Sequence, residues 1–461
     1  MRALARFISF SVGMMFLITS ANSFAQNPPP KLNLSAIKPG YVKMPKININ
    51  SVQPASSTIR LVLPKGVTST RGVFVNDANS SGGGPHNNAA HKSASGDNSG
   101  PNLRGLDTVP TFTGAFNSTA PSIDFFQSSD GFTTTAPFIM IGNNPLLGDT
   151  TELPTNLGAI SLQLLNPNGS VFANVPFAPF EDRIEDSPNF RNADYSVGHT
   201  QFADAVQRAE FFNMMEEDWH TLLDPKIVNR ATIQVPATVQ VQFFDGTVIT
   251  VPGYIAQTAS DGSTVVFMLD LLFNFLDFNQ AVNDINSGAF STKALNFHVY
   301  PNTFLFSVID EQGDLACCVL GFHEFIFDPT TNPEQRWIYG FASWISPGTF
   351  GGGVQDVTAF SHETSEMLND PFGNNIVPTW QFPGIFGACQ ANLETGDPVE
   401  VLATSTVPIV TREHHEVFTY HPQTEALLQW FEIGNPSNAI GGAFSYPDTT
   451  ALPAAATPCP F

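Results

Sequence analysis

Short apolar, strand-like runs separated by turn signals recur along this chain, and the spacing of apolar positions turns helical in three stretches. Residues 58–63 and 72–75 read as strands inside an otherwise Pro-, Asn- and Ser-rich segment. From 108 to 180, short strand-like runs alternate with turn signals such as Asn166-Pro167-Asn168-Gly169. Residues 200–223 read as a helix, stopped by Asp224-Pro225, with His220 near its end as a packing or capping residue. Strands return over 230–270, with a hairpin around Asp245-Gly246-Thr247, and 271–285 reads as a second helix. Apolar strand-like segments over 294–308, 316–328 and 336–345 then lead to a third helix over 355–369, ended by Asp370-Pro371.

Composition reinforces the strands. Phenylalanine occurs 41 times and charged residues make up only 13% of the chain, which with many Thr, Val, Asn, Gly and Pro positions favours β-structure over helical bundles. Residues 76–102 are a low-complexity Gly/Ser/Asn stretch too poor in apolar side chains to order itself, and its His86 and His91 read as solvated loop residues.

The N-terminus predicts export. Arg2 and Arg6 precede an apolar run from Phe7 to Ile18 and a small-x-small site at Ser23-Phe24-Ala25, the pattern of a signal peptide cut before Gln26. That run is too short to span a bilayer, and the next most apolar one, 267–278, is interrupted by Asp270 and Asp277. The expectation is a secreted or periplasmic protein with no transmembrane segment. The whole chain carries −22; losing two arginines and no acid makes this −24, with 17 of the 19 basic residues left. So few cations exclude a nucleic-acid partner, and the acidity reads as solubility outside the cell.

Four cysteines, Cys317, Cys318, Cys389 and Cys459, predict disulfides in an exported chain. A bridge between adjacent cysteines is disfavoured by geometry, so two longer links from the 317–318 pair to Cys389 and Cys459 are expected, in either arrangement.

The candidate chemistry sits on the third helix. In His362-Glu363-Thr364-Ser365-Glu366, positions i and i+4 share a face, so His362 and Glu366 can grip one cation while Glu363 serves as general base. A hydrolytic metal site needs a third protein ligand, and Glu394, then Asp397 and Asp370, are the candidates. Glutamate in place of a second histidine gives two anionic ligands, shifting preference towards harder cations, so zinc is expected with manganese, iron or calcium as alternatives. The bland reading of the pentapeptide is a surface helix with acidic residues. His323, in an alternating strand, reads as a core or supporting histidine ahead of a ligand, and His414, His415 and His421 read as an exposed strand or turn. Ser361 reads as packing, since no Gly-x-Ser-x-Gly elbow exists, and Gly351-Gly352-Gly353 lacks the Lys-Ser/Thr of a phosphate loop.

Four blocks over about 304–402 carry a family resemblance. Cys317-Cys318 followed by Gly321-Phe322-His323-Glu324-Phe325, the aromatic stretch from Trp337 to Trp344, the 355–371 helix with its His-Glu-x-x-Glu, and Glu394-Thr395-Gly396-Asp397 occur in that order. This segment resembles the Exordium/phosphate-induced family of secreted plant proteins and related secreted bacterial HExxE proteins. The resemblance implies an extracellular protein with a zincin-like helix, and it implies no particular reaction. In that family a cysteine follows the last block, whereas Cys389 here precedes it.

The expected architecture is α+β. It comprises a signal peptide (1–25), an arm and loop with short strands (26–105), a sandwich-like β-domain (106–199), a zincin-like metal-binding core with a mixed sheet (200–410) and a C-terminal segment (411–461). The expected function is a metal-dependent peptidase acting on an extracellular peptide or cell-surface substrate. The alternative is a non-catalytic binding or adhesion protein with a structural or degenerate metal site, and a carbohydrate-active enzyme with paired carboxylates ranks last.

Overall fold

The computed structural model describes residues 42–43, 59–62, 106–118 and 134–458, except 244–245, 309–314, 329, 352, 382–388, 401, 403, 414–415 and 433–437. The expected signal peptide, the strand at 72–75, the loop with His86 and His91, and His414, His415 and Cys459 lie outside the described residues.

The fold is mixed α+β and mostly strand. The elements that position the site are β1 (Thr150–Leu165), α1 (Phe202–Glu210), β2 (His220–Val235), β3 (Tyr254–Thr258), β4 (Thr264–Leu269), α2 (Asp270–Ser287), β5 (Leu295–Pro301), β6 (Thr303–Val308), β7 (Leu315–Val319), β8 (Gly321–Asp328), β9 (Glu334–Trp344) and α3 (Thr358–Asn369). Strands β2, β1, β5 and β9 run parallel in that order, and β8 pairs antiparallel with β9. Leu106–Asp107 beside β9 and Val171–Val175 beside β1 complete a seven-stranded sheet. A second, five-stranded sheet has the order Val42–Lys43, β7, β6, β4, β3. The hairpin expected around Gly246 joins Thr238–Gln242 to Val248–Pro252, with the Phe243 N–H donating to Thr247 O over 2.8 Å.

Period-two alternation sends the two faces of the large sheet to different helices. Leu295, Phe297, Val299, Ile338, Ala342 and Trp344 pack with Val357, Phe360, Met367 and Leu368 around α3. Their neighbours Tyr300, Tyr339 and Phe341 pack with Leu272, Phe273 and Ala281 of α2. Burial on both faces is what a parallel sheet requires. At Gly340 a Cβ would lie 2.4 Å from the Met367 methyl, so glycine lets α3 settle directly on β9.

Three expectations are corrected. The helix expected over 200–223 ends at Glu210, and residues 220–235 form a strand through Asp224-Pro225. Proline is accommodated because β2 has a strand neighbour only on its β1 side in the sheet order. Part of its other margin is occupied by Gln201, the residue that precedes α1: the Leu223 N–H donates to Gln201 Oε1 (2.7 Å), and Gln201 Nε2 donates to Leu223 O (2.9 Å). Second, β1 falls in the expected separate domain of 106–199, yet it pairs with β2 and β5, so the sheet crosses that boundary. Its middle is buried without a break, the pattern of an internal strand covered on both sides. Third, the two expected links from the 317–318 pair to Cys389 and Cys459 are replaced by one between neighbours: Cys317 and Cys318 are bonded to each other. The side chain of Cys389, like Cys459, lies outside the described residues. Among the described residues, no helix is long and apolar enough to cross a membrane.

Candidate metal centre

Helix α3 is buried along its whole length, an unusual place for three ionisable side chains. Its start is fixed by Asp356, whose Oδ1 accepts the Val357 N–H (2.7 Å), and by the Thr358 hydroxyl, which donates to Gln355 O (2.7 Å). Its end is fixed by Asp370, which accepts the N–H groups of Asn374 (2.9 Å) and Asn375 (3.0 Å), while Pro371 blocks continuation. Asp370 therefore closes a turn and stands outside both groups of ligand atoms described below.

The apolar side of α3 meets the sheet, and the side bearing His362, Glu363 and Glu366 meets β8 and the 393–400 loop. There, the Gly396 N–H donates to Glu366 Oε1 (2.9 Å), anchoring the loop to the helix. Gly396 is required by proximity: a Cβ there would lie 2.3 Å from His362 Nδ1. Asp397, next in the chain, is held by Gln390 Nε2 donating to Oδ2 (3.1 Å), which leaves Oδ1 towards His362.

Two groups of potential ligands result. His362, Glu366 and Asp397 form one: His362 Nε2 lies 3.2 Å from Glu366 Oε2 and 3.9 Å from Asp397 Oδ1. His323, Glu363 and Glu366 form the other, with His323 Nδ1 3.5 Å from Glu363 Oε2 and 3.4 Å from Glu366 Oε2. Glu394 is fully buried; its Oε1 accepts the Asn392 side-chain amide and its Oε2 lies 4.0 Å from His323 Nε2. Of the residues expected from sequence, His362, Glu363, Glu366 and Asp397 are brought together, with Glu394 at the margin through His323.

The donors of the first group fit a divalent ion. His362 Nε2, Glu366 Oε2 and Asp397 Oδ1 are buried and make no hydrogen bond among the described residues. The 3.2 and 3.9 Å separations from His362 Nε2 bracket the roughly 3.4 Å between donors that bind one tetrahedral ion at about 2.1 Å. Supporting side chains complete the picture. Gln423 Nε2 lies 2.9 Å from His362 Nδ1 and 2.7 Å from Gly396 O. For Nε2 of His362 to ligate, Nδ1 must carry the proton, so the Gln423 amide has to turn its oxygen to the ring.

Electrostatics mark the same residues. Burial pushes the Glu363 carboxyl up to about 7, against the pull of His362. Burial likewise lifts Glu400 to about 8, and it raises Asp397 and Glu425 well above the carboxylate range, with Glu366 adding to both. Burial opposes a charge on His362, but Glu366 and Glu363 outweigh it and hold the imidazole well above its ordinary value. Glu366 is held below the carboxylate range by His362 and His323 despite its burial. A cavity of about 10 Å³, room for one water, has His362, Glu363, Glu400, Gln423 and Thr358 among its lining residues.

Sequence reasoning ranked His323 below a ligand and did not single out Glu400, Gln423 or Glu425. Alternation along β8 gave a signal for His323, since Gly321, His323 and Phe325 share a face and Phe325 packs with the α3 cluster. For Glu400, Gln423 and Glu425 no spacing relative to the motif exists. His220 and His421 lie elsewhere, engaged with Asp204 (2.8 Å) and Asp356 (2.7 Å). Ser361 is a packing residue as expected, donating to Thr358 O and accepting the Gln423 N–H.

Comparison of the chain with protein-family models, with curated proteins and with solved structures returned no match.

Proposed function

We propose that the protein is an exported metal-dependent peptidase with a zincin-like core akin to the Exordium-like HExxE proteins. His362, Glu366 and Asp397 hold a divalent cation, zinc before manganese, iron or calcium, and Glu363 is the general base. The observation that carries this reading is the convergence of three buried donor atoms, His362 Nε2, Glu366 Oε2 and Asp397 Oδ1, with a water-sized cavity lined by His362 and Glu363. A cation held there would supply Lewis acidity to a scissile carbonyl and to water. Glu363 then takes the proton of the attacking water and returns it to the leaving amine. Gln423 and the Gly396 N–H orient His362 and Glu366, and the 393–400 loop shields the donors from bulk water. The substrate class is an extracellular peptide or a cell-surface protein.

Glu363→Gln tests the reading, because it removes the base and keeps a neutral oxygen in place. Cleavage of a peptide library should fall about 100-fold or more. An unchanged rate in the variant would overturn it. The full burial of Glu366 and Asp397 favours a second reading, a binding or adhesion module with a structural ion. Absence of cleavage by the wild type, with a melting temperature that chelation lowers, would establish that one instead.

A further inference from the structure

Glu366 is shared. Its Oε2 faces His362 Nε2 at 3.2 Å and His323 Nδ1 at 3.4 Å, yet the two imidazoles fall in separate groups of mutually close donors. Donors bound to one ion at about 2.1 Å lie at most about 4.2 Å apart, so each group describes its own centre. Both oxygens of Glu363 make no hydrogen bond among the described residues, and Oε2 points to His323 while Oε1 lies 3.9 Å from His362. Charge leads to the same place. Glu363, Glu366, Glu394, Asp397, Glu400 and Glu425 are all buried. Buried carboxylates are costly unless a cation or proton matches them.

We propose that the site is dinuclear, with a second divalent cation between His323, Glu363 and Glu366, and Glu366 bridging it to the ion of His362, Glu366 and Asp397. The inference rests on the reading that the first centre binds metal, and it changes the role of Glu363. One carboxylate oxygen ligates the second ion and the other remains on the His362 side to accept a proton. Two ions bridged by a carboxylate stand about 3.5–4 Å apart, the spacing at which a pair can clamp attacking and leaving groups together.

Metal stoichiometry tests it without reference to activity. The purified exported chain, stripped with chelator and titrated with Mn²⁺, should bind two equivalents and give the multiline spectrum of an exchange-coupled pair in electron paramagnetic resonance. His323→Gln should bind one equivalent and give the isolated six-line signal. A wild type that saturates at one equivalent with the six-line signal overturns the dinuclear proposal and leaves the first centre standing. No binding at all defeats both. A His323→Gln protein that still binds two equivalents also overturns the proposal. If that variant fails to fold, the wild-type spectrum alone decides.

Discussion

The backbone N–H of Gly396 donates to Oε1 of Glu366 across 2.9 Å, and the same glycine lies so close to His362 that a Cβ would come within 2.3 Å of Nδ1. One residue thus fixes the rotamer of one proposed ligand and the clearance of another. Gly396→Ala should push the His362 ring out of line and destabilise the fold by about 1–3 kcal/mol, the usual cost of overpacking. Metal titration combined with denaturant unfolding checks this: affinity should fall more steeply than stability. Equal affinity in the variant would show that His362 is not a ligand.

Gln423 acts through His362 and so is a positioning residue. Gln423→Leu should weaken metal binding by about 10- to 100-fold, the usual effect of losing a partner to a ligating imidazole. Gln423→Glu, which can only accept from Nδ1–H, should recover most of that loss. Isothermal titration of the stripped proteins separates the cases, since a purely structural Gln423 would give equal affinities in both variants.

Removing the ion should cost stability. With free metal at 100 times its Kd, binding adds about 2.7 kcal/mol to the folded state. Thermal unfolding with and without chelator should show a lower Tm for the stripped chain, restored by adding metal. His362→Ala should abolish the difference between the two curves. A difference that survives in the variant would place the ion elsewhere.

A buried histidine outside the candidate centre makes a pH prediction independent of metal. His298 lies between Asp277 (Nδ1–Oδ1, 2.7 Å) and Asp284 (Nε2–Oδ2, 2.9 Å), with Tyr300 and Tyr339 donating to Asp277. Burial opposes its charge, but the two carboxylates outweigh burial and raise it from 6.5 to about 9. That rise corresponds to about 3 kcal/mol, fully present below about pH 6.5 and lost as the pH climbs through about 9. Unfolding midpoints measured in urea at constant ionic strength should fall between pH 7 and 9.5. In His298→Gln the starting stability should be lower and this slope flattened.

Local features with strong periodicity were legible in the sequence. Helix α2 matches the expected 271–285 within two residues at each end, and α3 lies inside the expected 355–369. Asp397 and Glu366 could be named because they sit in or near the motif. Long-range pairing was illegible. The segment His220-Thr221-Leu222-Leu223 looks helical beside α1 and becomes strand because β1 offers a partner from 150 onward and Asp204 accepts the Thr221 N–H (2.6 Å). Glu425 and Gln423 join the centre because the chain returns to it after the 409–420 hairpin, which no local pattern announces. The Cys317–Cys318 bond was illegible because adjacency argues against a bridge, and no local pattern overrides that.

The anchoring of the 393–400 loop by Glu366 also orders events in time. The donors come from β8, α3 and the 393–400 loop, and each pair between elements exists only once those two elements have docked. A nascent or unfolded chain therefore offers only the isolated His362–Glu366 pair, a poor competitor for metal. Loading would follow folding, and the ion would act as a latch on the loop, slowing its release far more than it speeds the helix into place.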